Sequence, residues 1–144
     1  MEQLEIFEVK EAVDSYVAPI NRLLAQLSSS GVCFSLERLQ EMVESQASHL
    51  FLARYKGEVV AMLTLGEYMA PTGRKMWIED VVVDAVARGL SIGRAIVDYA
   101  IEYARGLGDG VLMLTSRPSR VAANALYRSC SFEQKETNVY KMNI

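Results

Sequence analysis

The chain has 144 residues, 51% of them hydrophobic and 23% charged, with a net charge of -3. That composition fits one globular domain and excludes a disordered or fibrous chain. The slight acidity gives no footing for nucleic acid, which calls for a basic face, and no stretch reaches the ~20 apolar residues that cross a bilayer. The two cysteines, Cys33 and Cys130, fit no metal-ligand spacing, so no metal is expected. They read as reduced thiols of a cytoplasmic protein. The N-terminus has neither the basic start nor the apolar run of a signal peptide.

Leu4 to Val9 alternates enough for a short strand. Asp14 is placed to cap a following helix, whose apolar stripe is Tyr16, Val17, Ile20, Leu23, Leu24 and Leu27. Ser28-Ser29-Ser30-Gly31 stops it. Ser35 starts a second helix that buries Leu36, Leu39, Met42 and Val43, with Arg38 where a capping box would have glutamate. Leu50–Tyr55 and Val59–Tyr68 read as strands joined by a tight Lys56-Gly57 turn. The second is apolar on both faces, as in a sheet covered on both sides. After the turn at Ala70–Gly73 comes a strand, Met76–Val83. A long helix, Ser91–Leu107, turns Ile92, Ile96, Ala100, Tyr103 and Leu107 to one side. A strand at Val111–Thr115 and a helix at Arg120–Ser129 follow, the helix facing Ala122, Ala125 and Leu126 inward. A last pair of strands is expected at Phe132–Glu136 and Val139–Met142. The order is an α/β layer structure in a single domain, residues 1–144, with a parallel crossover from Met76 to Thr115.

The chemistry concentrates where the strand ending Val81-Val82-Val83 runs through Arg88-Gly89-Leu90-Ser91-Ile92-Gly93-Arg94-Ala95 into the long helix. A helix N-terminus presents unpaired N–H groups and partial positive charge, and a glycine-bearing loop lets them converge on one anion. Arg88 and Arg94 could add charge-assisted bonds to a pyrophosphate. Many helices follow a glycine for structural reasons alone. The P-loop and dinucleotide-binding patterns are both absent.

Arg88–Ala95 resembles the [RQ]-x-x-G-x-[GA] signature of the GNAT superfamily of N-acetyltransferases. Trp77–Val83 is similar to that family's central strand, and Asn124–Phe132 to its N-A-x-x-L/F-Y-x-x-x-G-F segment. The element order also matches. The resemblance implies a mixed, mostly antiparallel sheet of six to seven strands with splayed central strands, flanked by about four helices. It implies acetyl-CoA in the splay, its arm against the backbone of Val81, Val82 and Val83, and its pyrophosphate on Arg88, Gly89, Leu90, Ser91, Ile92, Gly93, Arg94 and Ala95. Asn124 matches a contact to the cofactor arm, and Tyr127 a proton donor to the departing thiolate. Ser91 and Ser131 stand where the family has glycine.

An attacking amine must lose a proton, and Glu79 is the first choice of base, on the expectation that strand alternation puts it on the face of Val81 and Val83. Asp80 is the second choice. Alternatively both carboxylates pair with Arg74 or Lys75. His49, the only histidine, reads as structural, Cys130 as packing, and the Arg117–Arg120 loop as either solvated or a phosphate contact through Arg120. The resemblance implies acetyl transfer to a primary amine, on a small molecule or a protein. The alternative is a non-catalytic CoA-binding or regulatory domain. A homodimer stays open.

Overall fold

The computed structural model describes residues 3–29 and 31–144. Its elements are β1 (Leu4–Glu8), α1 (Val17–Leu27), α2 (Leu36–Glu44), β2 (Ser48–Tyr55), β3 (Glu58–Ala70), β4 (Gly73–Val83), α3 (Ile92–Leu107), β5 (Val111–Leu114) and α4 (Val121–Ser129). Five strands form one sheet in sequence order, β1 to β4 antiparallel and β5 parallel to β4. The expected crossover is therefore present, with α3 between its two parallel strands.

Helices cover both faces. Ile20 and Leu23 of α1 and Leu39 of α2 pack on Leu50, Leu52, Met62 and Val82. Ile92, Ile96, Val97 and Ala100 of α3 pack on Phe51, Leu63, Leu65, Met76 and Ile78 on the other side. β3 contributes to both cores because alternate side chains point to opposite faces. Its hairpin with β2 closes through Lys56 (φ 52) and Gly57 (φ 84), the positive-φ pair of a type I′ turn.

Several expectations are corrected. Residues 132–144 form no strand, so the sheet has five strands rather than six or seven. Val139, Tyr140, Met142 and Ile144 stand exposed there. Asp14 opens a short 3-10 turn instead of capping α1, which has no side-chain cap. Ser35 does cap α2, accepting from the Arg38 N–H at 3.1 Å. On α4 the packed residues are Ala123, Leu126 and Tyr127, while Ala122 and Ala125 are exposed: the helix is turned by one position from the expected face. Leu36 is more exposed than expected. Ser30, in the predicted stop after α1, lies outside the described residues.

Candidate active site

β4 and β5 pair only from Lys75↔Val111 to Ile78↔Leu114. Beyond Ile78, β4 continues to Val83 with β3 on one side but without β5 on the other, so its edge opens where the sequence placed the splay. The same stretch carries a β-bulge. Against β3, Thr64 pairs with Glu79 but Met62 pairs with Val82, which leaves one extra residue in β4. Asp80 takes the left-handed conformation (φ 52) that aspartate tolerates better than most residues.

The bulge overturns the expected side-chain alternation. Ile78 pairs with Leu65 on the α3 face, and Val81 and Val83 also pack there. Glu79 instead pairs with Thr64, on the α1 face with Met62 and Val82. Glu79 therefore does not share the face of Val81 and Val83. Asp80 lies on its side, lining a cleft against α1. Neither carboxylate has an ion-pair partner among the described residues, and Arg74 pairs with Glu67 (2.7 Å). Burial, and then the neighbouring Asp80 charge, lift the Glu79 pKa above the ordinary carboxylate value.

The loop after β4 has the shape its glycines suggest. Gly89 (φ 84) and Ser91 (φ 61, ψ 21) both lie in the left-handed region. Ser91 makes no side-chain cap, so it acts here in the conformation of a glycine rather than as a capping serine. The first helical bond is from the Ala95 N–H to the Ser91 carbonyl, 3.1 Å. The N–H groups of Ser91, Ile92, Gly93 and Arg94 consequently have no acceptor among the described residues. Ala87 and Ile92 are buried and anchor the loop from both sides. A Cβ added to Gly93 would meet Val83 and Leu126 at 3.5 and 3.6 Å, which places β4, α3 and α4 around this point. Arg88 is exposed, its Nε 3.4 Å from the Val83 carbonyl. Arg94 is turned along the helix to Asp98 (3.2 Å) and Ser129 (3.1 Å).

Tyr127 is buried on α4, edge-on to Phe132, and burial raises its pKa above the ordinary phenol, against the opposing pull of the Arg120 charge. Asn124 spends both amide protons on the Arg117 and Arg120 carbonyls, each at 2.8 Å, and so pins the 117–120 loop to α4. Two residues past β5, the Ser116 hydroxyl is enclosed without a partner, alone in this among the described side-chain polar atoms. A buried hydroxyl left unpaired is costly unless something else completes it.

Asp84, which the sequence did not single out, holds the loop to α1. It is 5% exposed. Its carboxylate accepts from Arg22 (3.0 Å), Gln26 (3.3 Å) and the Val86 N–H (3.2 Å). Burial alone would raise its pKa, but these donors together outweigh that and lower it. Arg22 also donates to the Val59 carbonyl (2.7 Å), and Gln26 accepts from the Ala85 N–H (2.9 Å). The partners lie about sixty positions apart in the chain, so no local pattern announces them.

Residues 20–132 match the model of the acetyltransferase (GNAT) family. The chain is 29% identical to glucosamine 6-phosphate N-acetyltransferase 1 of Oryza sativa subsp. japonica over 71% of this chain and 64% of that protein. It is 31% identical to an uncharacterised N-acetyltransferase of Bacillus subtilis (strain 168) over 64% of this chain and 66% of that one. The aligned part thus spans under two thirds of these relatives' lengths. Among solved structures, a protein of Agrobacterium tumefaciens str. C58 assigned as an acetyltransferase superposes with a TM-score of 0.85 at 25% identity, covering 96% of this chain and 99% of that one.

Proposed function

The chain belongs to the acetyltransferase (GNAT) family, and from that premise we propose that it transfers the acetyl group of acetyl-CoA to a primary amine. The observation that carries this reading is the run of unpartnered N–H groups from Ser91 to Arg94 beside the unpaired edge of β4. Together they offer a cradle for a pyrophosphate and a backbone edge for an extended amide-bearing arm. Acetyl-CoA, when bound, supplies an acetyl group already activated as a thioester.

The remaining work falls to the chain's own residues. Ser91–Arg94 bind phosphate oxygens, with Arg88 as a nearby cation that has no ion pair among the described residues. The backbone of Val81 to Val83 orients the arm. Glu79, directly or through a water, takes the proton of the amine. Its raised pKa brings it nearer to the operating pH of a general base. Tyr127, whose raised pKa keeps its hydroxyl protonated at neutral pH, gives a proton to the departing sulfur. Asn124 positions the adjoining loop rather than reaching out with its amide protons. The free thiols of Cys33 and Cys130 suit a reducing, cytoplasmic setting.

Calorimetric titration with acetyl-CoA tests the cradle. A Cβ on residue 93 would meet only ordinary packing contacts, so Gly93→Ala should fold and serve as the control, while Gly93→Asp, which adds a negative charge at the helix start, should lose affinity by at least about tenfold. Tyr127→Phe should keep the affinity and lose turnover by on the order of 100-fold. Full turnover in that variant would remove Tyr127 from the proton-donor role. The acid limb of kcat/KM should follow the raised Glu79 pKa, activity failing as pH drops through it, and Glu79→Gln should abolish that limb.

A further inference from the structure

We propose that the cleft beside the β4 bulge takes a cationic acceptor, an amine with a second protonated nitrogen, and that Asp80 is the residue that selects it. The reaction at this site rests on the acetyl-transfer reading above; the charge preference of the cleft does not.

The cleft has a volume of about 490 Å³ and lies between the C-terminal half of α1, the loop through Gly31 and Val32, and Asp80. Leu24, Leu27 and Val32 give it apolar walls. Asn21 also lines it, but its side chain is spent on the frame. It donates to the Val17 and Phe34 carbonyls at 3.2 and 2.9 Å and accepts from the Phe34 N–H at 2.8 Å. Asp80 supplies the charge. The bulge puts its carboxylate on the same side as Glu79, and neither has a cation of its own among the described residues. No lysine or arginine is among the described residues lining the cleft. Arg22, the basic residue of α1, is committed to Asp84 and Val59.

Such a site has no cationic side chain for a phosphate among its described lining residues, and it has the Asp80 carboxylate, with Glu79 next to it in the strand, whose charge a cation would relieve. An anionic amine, such as glucosamine 6-phosphate, would meet repulsion. A diamine or polyamine could place a neutral nitrogen toward Glu79 and the opening beside β4, while a protonated one meets Asp80 and methylenes lie along the leucines. The cleft is open, so the preference should weaken with salt.

The test pairs spermidine with glucosamine 6-phosphate. Binding is followed by calorimetry with CoA present, and initial rates by thiol release, for the parent and Asp80→Asn at low and high salt. Asparagine tolerates the left-handed conformation as aspartate does, so the bulge should survive. The expected result is a kcat/KM for spermidine at least about tenfold above that for glucosamine 6-phosphate. Asp80→Asn should lose about tenfold or more on spermidine, mainly through KM, and distinctly less on butylamine, which has no second nitrogen and registers only the altered charge beside Glu79. Preference for the phosphosugar, spermidine binding indifferent to Asp80→Asn, or no binding of spermidine would each overturn the proposal. Asp80-dependent spermidine binding without thiol release from any amine would instead end the acetyl-transfer reading and leave the cationic cleft standing.

Discussion

The two ends of α3 treat their polar groups in opposite ways. Near its C-terminal end, Tyr103 joins a network drawn from four strands. His49 on β2 places Nδ1 2.8 Å from Glu8 on β1 and Nε2 2.7 Å from Glu67 on β3. Tyr103 donates to Glu8 at 3.0 Å, and Arg74 on β4 donates to Glu67 at 2.7 Å. The side chains of His49, Glu8 and Glu67 are 12–15% exposed. At the N-terminal end, four backbone N–H groups and an edge of β4 have no partner among the described residues. A partly buried polar group is costly when unpaired. One end therefore reads as completed structure, while the other leaves its polar groups open.

The largest effect that separates the ends is expected from His49→Ala. Both ring nitrogens lie within hydrogen-bond reach of carboxylate oxygens, and the Tyr103 hydroxyl is 3.1 Å from Nδ1. Its removal takes away the ring that joins Glu8 and Glu67, and should cost on the order of 3 kcal/mol in denaturant unfolding. Affinity for acetyl-CoA should stay that of the parent. If affinity falls in step with stability, the two ends are coupled and the contrast fails.

A smaller effect should be visible at high pH. Burial, followed by the hydrogen bond to Glu8, pushes the Tyr103 pKa up to about 12. The folded pKa lies above the ordinary value of about 10, so this contribution to stability is complete below pH 10. It disappears as the pH rises through the folded value. In an absorbance titration of phenolate, Tyr103 should ionise late among the seven tyrosines. Tyr103→Phe should remove that late step and flatten the loss of stability across the same window.

The two ends also differ in how far the sequence announces them. The loop from Arg88 to Ala95 is continuous in the chain, and its glycines, its helix start and the strand before it are all local signals. Tyr127 and Asn124 are likewise three positions apart on one helix. The His49 network is assembled from residues up to 95 positions apart, and only the fold brings them together. Asp84 is hidden for the same reason, since its partners lie on α1. The face of Glu79 was misread on a different ground: period-two alternation holds until an extra residue enters the strand, and nothing in Trp77–Val83 marks the bulge. The last two expected strands rest on alternation alone, with no pairing partner to make them a sheet.

Two serines in left-handed conformations allow the finest comparison. Ser131 (φ 74) sits just past α4, where the Phe132 N–H bonds to the Tyr127 carbonyl and the Ser131 N–H to the Arg128 carbonyl, both at 3.0 Å. That is a Schellman closure, with Phe132 packed on Tyr127 as its apolar contact. Ser91 (φ 61) has the same strain but no comparable closure, and its hydroxyl makes no cap. Glycine relieves the contact of Cβ with the backbone, so each Ser→Gly change should stabilise the fold by about 1 kcal/mol. At residue 131 the gain should come without any change in acetyl-CoA affinity. At residue 91 it should come with weaker binding, because the hydroxyl is free to meet a phosphate oxygen and glycine cannot replace it. Equal affinity in both variants would mean that Ser91 serves the cradle through its backbone alone.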